Sequence, residues 1–483
     1  MHKLPATEPW PYFLSLCKVP RPSHKEQLAI QFVKAFAEAH HLACKVDDAG
    51  NVLISKPASA GMEDRPGIIL QAHLDMVPQK NPDVRHDFEK DAIKPRITDD
   101  GLWMKAEGTT LGADDGIGIA AALSVLADDT LVYGPLEALF TVEEETGLTG
   151  ALALQPGWMQ GKILLNLDNE EDGEFCIGCA GGLDLTATFR LRREPVPEGY
   201  AVFDLSLSGL KGGHSGSDIH LGRANALKMM CRFLWMAAAA YDIRMIGWSG
   251  GEVRNAIPRH TQARVAVAPE AAKELKEFTA QCNRLFSQEY RGTEDNITLT
   301  CRASKPTAAD SVWNQTSQKK ILSALYAMPD GVLRMSSDVP GLVETSTNWG
   351  VLVCGEKTLS AQCLLRSAKE SAKAHLANMM RAAIELGGGR AVFSGAYPGW
   401  APQPDTEAVR LLVSAYERLF GTKPVVKAIH AGLECGIIGG KYPGLQMISF
   451  GPTIRHPHSP DEAIELSTVD KFWQLLLEAI KSV

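Results

Sequence analysis

Apolar positions in the first part of the chain follow two rhythms. Over residues 27–39, Leu28, Ala29, Phe32, Val33 and Phe36 recur at helical spacing, which predicts an amphipathic helix. Short apolar runs at 52–54, 68–70, 136–142 and 163–165 read as strands, and residues 117–126, opening after Gly116, form an apolar stretch of helix length. Strands alternating with helices predict an α/β layer built on a mostly parallel sheet.

The texture changes after Gly181-Gly182. Residues 183–189 and 202–207 alternate apolar and polar positions, the pattern of half-exposed antiparallel strands. Helical stretches at 224–240 and 271–290 accompany them, so this part reads as an inserted α+β domain. Gly- and Pro-rich segments at 387–389 and 397–402 predict a crossing back to the first layer. Strands at 425–429 and 447–450 and a terminal helix at 467–480 then restore the α/β pattern. The expected division is 1–186 and 399–483 for one domain and 187–398 for the insertion.

Composition agrees with this division, since 483 residues exceed what one hydrophobic core usually serves. Hydrophobic residues at 45% and charged residues at 22% are the proportions of a globular protein. A net charge of −8 without a dense Lys/Arg block argues against a nucleic-acid partner. No apolar run reaches spanning length and the opening residues lack a secretory apolar region, so a soluble cytoplasmic protein without a membrane partner is expected. Ten scattered Cys fit a reducing compartment. Cys176 and Cys179 have CxxC spacing, but no second pair completes a tetrahedral site.

Chemistry gathers at the ends of the predicted strands. His73-Leu74-Asp75 ends the second run, and alone such a pair is more often a surface turn or a helix cap. Asp114 and Asp115 lie in a Gly-rich loop before the apolar helix, where either can serve as its N-cap. Glu143-Glu144-Glu145 follows another strand, and three adjacent acids repel one another unless a cation is present or water solvates them. Asp168 closes the 163–165 strand, and His456-Pro457-His458 follows the last one. Individually weak, the five together offer a mixed oxygen and nitrogen set suited to Zn²⁺ and adaptable to Mn²⁺ or Co²⁺.

In this order the motifs resemble those of the co-catalytic zinc peptidases, which include carnosinases, peptidase T, acylases and glutamate-releasing carboxypeptidases. The runs at 178–182, 210–216, 254–258, 395–400 and 430–436 extend the resemblance along the chain, to the aminoacyl-histidine dipeptidases within that group. The wider family often carries Lys shortly after the bridging Asp, where this chain has Asp115-Gly116-Ile117.

The resemblance implies two zinc ions per chain. Asp114 would bridge them, His73 and Asp168 would complete one site, and Glu145 and His458 the other. Glu144 would be the general base, and Asp75 would orient the His73 ring. His214 in the insertion would stabilise the oxyanion across a homodimer, while Asn255 and Arg366 would hold the substrate's carboxylate end. His430 and Glu434 are open between pocket wall and loop packing. The implied activity is hydrolysis of small peptides, Xaa-His and other dipeptides such as β-alanyl-histidine. A di/tripeptidase or acylase of other specificity is the alternative.

Overall fold

The computed structural model describes residue 4 and residues 7–307 and 309–483. It divides into two compact units. One comprises 1–179, 400–428 and 433–483, and the other 180–399 with 429–432. The first boundary falls a few residues before the expected 186, and the short return at 429–432 was not anticipated.

The first unit is organised by an eight-stranded sheet whose four central strands are parallel. Leu136–Thr141 and Ile163–Asn166 flank Ile68–His73, with Gln446–Ser449 beyond Ile163–Asn166. Ala43–Val46 and Val52–Lys56 extend one side and pair antiparallel, and Glu174–Cys179 pairs antiparallel with Gln446–Ser449 on the other. Ile68–His73, Leu136–Thr141 and Ile163–Asn166 are buried at every position, which is why they read as continuous apolar runs. The helix Ala113–Ala127 is likewise buried from Ala113 to Leu126. It starts ahead of the expected 117 because Asp114 and Asp115, though non-helical in backbone angles, form its entry.

A nine-stranded antiparallel sheet organises the second unit, and its longest strands are Val343–Cys354, followed by Gly181–Arg190 and Thr358–Ser367. Alternating burial along Gly181–Arg190 and Ala201–Ser208 turns one side of each strand into the core. Phe189, Phe233, Trp248, Phe286, Trp313 and Trp349 fill that core. Its helix Ala226–Ala240 begins two residues after the expected 224, because the Asn225 side chain caps the N–H groups of Leu227 and Lys228. The expected 271–290 helix is split between a 3₁₀ turn, Pro269–Ala271, and Ala272–Glu289.

Candidate metal centre

The parallel strands of the first unit deliver side chains at their C-terminal ends, where open α/β sheets place ligand groups. His73 is the last residue of its strand and pairs in register with Thr141. Glu144 and Glu145 follow Thr141 by a tight turn, and Asp168 lies two residues past Asn166, the register partner of Gln71.

Asp114 stands between two imidazoles. Its Oδ1 is 2.9 Å from His73 Nε2 and its Oδ2 is 3.1 Å from His458 Nε2. Asp168 Oδ1 lies 3.6 Å from His73 Nε2, whereas Glu145 Oε2 lies 2.9 Å from His458 Nε2. One carboxylate therefore faces two His/carboxylate pairs, one oxygen to each. Ligand atoms of His73, Asp114 and Glu145 lie within 4.8 Å of one another, and Glu145 Oε1 is buried without a hydrogen-bond partner. Mixed N/O donors at this spacing, with an orphaned carboxylate oxygen among them, fit a divalent cation.

The electrostatics point the same way. Burial pushes Asp168 up to about 7 against the pull of His73, and pushes Glu170 up to about 8 with the charges of Asp114 and Asp168 adding to it. Glu144 is raised well above its usual range, first by burial and then by its acidic neighbours, against His73. Burial also raises Asp114, but hydrogen bonds with His458 and His73 overcome it and hold this carboxyl low. His458 is lifted to about 11 by its hydrogen bonds with Asp114 and Glu145. Burial thus favours the protonated forms of Asp168, Glu170 and Glu144, which a divalent cation would shift toward the ionised ones.

The residues around the cluster set its geometry. Asp75 Oδ1 is 3.4 Å from His73 Nδ1, and the same carboxylate accepts the N–H groups of Glu144 at 3.0 Å and Glu145 at 3.2 Å. It thus anchors the Glu144-Glu145 turn, while the nearer hydrogen-bond partner of His73 Nδ1 is the Asp75 backbone carbonyl at 3.1 Å. Of the two adjacent aspartates, Asp115 is the helix cap, accepting the Gly118 N–H at 3.2 Å, while Asp114 faces the histidines. A Cβ on residue 118 would stand 2.3 Å from Asp115 Oδ1, so glycine makes this cap feasible. His458 has φ of 60°, a conformation that costs a non-glycine residue roughly 1–2 kcal/mol and that the surrounding loop must impose.

Sequence reasoning missed several contributors. Glu462, four residues after His458, is 2% exposed and accepts the N–H groups of Leu111, Gly112, Ala113 and Asp114 at 2.7, 2.9, 2.7 and 3.3 Å. Buried Arg21 donates to the carbonyls of Leu74 and Asp75 at 3.0 and 2.7 Å and also to that of Gly112, tying the His73 turn to the Asp114 loop. Glu462 was visible as an acid following the last histidine, but Arg21 had no signal. Cys176 and Cys179 are both buried, and burial pushes the Cys179 thiol up to about 12.

The remaining expected site residues divide between the units. Glu434 belongs to the first, where its Oε2 accepts from Gln71 and Thr141, and not with His430. The second holds His214, Asn255, Arg366 and His430. His214 pairs with Ala256 in a short ladder, and the Asn255 carbonyl accepts the Ser215 N–H at 2.8 Å while the Asn255 side chain is exposed. The N–H groups of Gly216 and Ser217 donate to His214 Nδ1 at 3.3 and 3.1 Å, so the neutral ring carries its proton on Nε2. Arg366 is 5% exposed and has an unpartnered Nε, and among the described residues no carboxylate pairs with it. Burial first, then the Arg366 charge, lowers both His214 and His430, the latter to about 3.

Fold and site together define a metal-dependent hydrolase. The family model described as Peptidase family M20/M25/M40 matches residues 69–482, and the chain belongs to that family. It is 44% identical over 480 residues to the cytosol non-specific dipeptidase of Escherichia coli, covering 98% of this chain and 97% of that protein. The crystal structure of aminoacylhistidine dipeptidase from Vibrio alginolyticus matches with a TM-score of 0.94 and 43% identity, covering 100% of this chain and 97% of that one. A Staphylococcus aureus tripeptidase shares the fold at a TM-score of 0.59 and 16% identity, covering 99% of this chain and 98% of the other.

Proposed function

We propose that this chain is a cytoplasmic, dinuclear zinc dipeptidase. The observation that carries this reading is Asp114, whose two carboxylate oxygens each face a different imidazole. The E. coli and Vibrio relatives support the substrate class. One of them is named for aminoacyl-histidine and the other as non-specific, so we assign Xaa-His dipeptides such as β-alanyl-histidine as substrates within a broader range.

His73, Asp114 and Asp168 would hold one zinc, and Asp114, Glu145 and His458 the other, with Mn²⁺ or Co²⁺ able to substitute. Bound there, the two ions would lower the pKa of a shared water and polarise the scissile carbonyl. Glu144, adjacent to a ligand but outside the ligand set, takes the water proton and returns it to the leaving amine. Asp75 keeps the His73 ring in its ligating orientation and fixes the turn that carries Glu144.

In the second unit, Arg366 supplies a guanidinium without a carboxylate partner, suited to the terminal carboxylate of a dipeptide, and Asn255 is assigned to the same end. The Nε2–H of His214 is a neutral donor for a developing oxyanion, and we assign it to the neighbouring chain of a homodimer. A panel of free dipeptides, tripeptides and N-acylated amino acids tests the class. Free dipeptides, including β-alanyl-histidine, should be cleaved fastest, and preference for N-acylated amino acids would replace this reading with an acylase.

A further inference from the structure

Beneath the metal cluster runs a chain of buried polar side chains that no step above uses. Glu434, the first residue of the helix Glu434–Lys441, is 1% exposed. Its Oε2 accepts from Gln71 Nε2 at 2.7 Å and from Thr141 Oγ1 at 2.6 Å. Gln71 Oε1 in turn accepts from Asn166 Nδ2 at 2.6 Å. Gln71 and Asn166 are also buried, at 0% and 1% exposure.

The positions of these residues give the network its meaning. Gln71 precedes His73 by two residues on one strand, and successive side chains of a strand alternate faces, so the two share a face. Thr141 ends the strand that leads into Glu144 and Glu145, and Asn166 ends the strand that leads to Asp168. Backbone ladders fix these strands in register, but side chains that emerge past the last rung need another constraint. The network supplies a tie across all three strand ends, and Glu434 is its anchor from outside the sheet.

We infer that Glu434 is a positioning residue that sets the spacing of His73, Glu145 and Asp168 through Gln71, Thr141 and Asn166. Its helix brings a carboxylate that accepts two hydrogen bonds with one oxygen, so both neighbouring strand ends are held to the same point. The requirement is for the acceptor geometry and not for the charge. The inference builds on the ligand assignment proposed above, but its readout is cation affinity and is independent of which peptide is cleaved.

The test uses the full-length protein stripped of metal and titrated with Zn²⁺ against a chromophoric chelator, with thermal unfolding recorded in parallel. Glu434→Ala should weaken Zn²⁺ binding by about 10–100-fold, the range for residues that orient ligands. Glu434→Gln keeps an acceptor oxygen for Gln71 and Thr141, so it should stay within about fivefold of wild type. A Glu434→Ala protein with lowered unfolding temperature but unchanged Zn²⁺ affinity would reduce the residue to packing and overturn the inference. Equal losses in the Ala and Gln variants would assign the effect to charge and overturn it as well. If Glu434→Ala does not fold, Thr141→Val, which removes one donor, should show the same weakening in smaller degree, and unchanged affinity there counts against the inference. Loss of Zn²⁺ affinity in a protein that cleaves no dipeptide would sink the proposed function and leave this inference standing.

Discussion

Removing Glu462 should damage both the fold and the metal centre. Its carboxylate is met by four backbone N–H groups, two at each oxygen, which favour the ionised form because a proton on either oxygen would face a donor, although burial raises its pKa overall. Hydrogen bonds to a charged group contribute about 1.5–3 kcal/mol each, but four on one carboxylate do not add in full. Glu462→Ala also leaves buried Arg21, on which Glu462 acts electrostatically, with less opposing charge. Each buried N–H left without its acceptor costs about 1–3 kcal/mol, and with four such groups that do not add in full the expected destabilisation is about 3–5 kcal/mol.

Glu462→Gln retains one acceptor oxygen and turns an amide N–H toward two donors, so its loss should be at least half as large. Urea unfolding of the metal-free protein, followed in the transition of the unit that contains Glu462, measures these values. Zn²⁺ titration should show weakened binding, since the loop that Glu462 holds carries Asp114. A Glu462→Ala variant within about 1 kcal/mol of wild type, with Zn²⁺ binding intact, would refute the reasoning.

Three further outcomes follow from the assigned roles. Glu144→Gln should retain bound zinc yet lose on the order of 10²-fold or more in kcat, and turnover within a few-fold of wild type at saturating metal would place the base elsewhere. Arg366→Ala should raise KM for free dipeptides by roughly tenfold or more, with little recovery in Arg366→Lys because an ammonium lacks the bidentate fork; equal losses on a C-terminally amidated substrate would contradict carboxylate recognition. Mixing His214→Ala with Glu144→Gln chains should restore part of the activity if His214 serves the neighbouring chain. Verified subunit exchange without recovery would confine His214 to its own chain or to no catalytic role.

What could be read from the sequence follows from where each constraint resides. The strand ends carrying His73, Glu144, Glu145 and Asp168 were legible because strands buried on both faces are uninterrupted apolar runs, and a His or carboxylate placed directly after one interrupts the pattern visibly. The roles of the adjacent Asp114 and Asp115 could not be told apart in the sequence; in the structure Asp115 caps the helix while Asp114 faces His73 and His458, and only backbone geometry separates them. Glu462 and Arg21 act on backbone N–H and C=O groups, which every residue carries, so their partners leave no trace in residue identity. Glu434 lay within the 430–436 run, but its bonds to Gln71 and Thr141 span 363 and 293 residues of sequence. Antiparallel strands flanking the parallel centre were likewise hidden, since pairing direction depends on connection geometry more than on composition.

The central claim is that Asp114 joins two cation sites in one hydrolytic centre. Its most direct test is to strip the protein of metal, add Zn²⁺ in increments, and follow dipeptide hydrolysis alongside bound zinc. Activity should be absent without metal, should return on addition, and should reach its plateau at about two zinc ions per chain. A plateau at one ion per chain, unchanged by His458→Ala, would contradict the account.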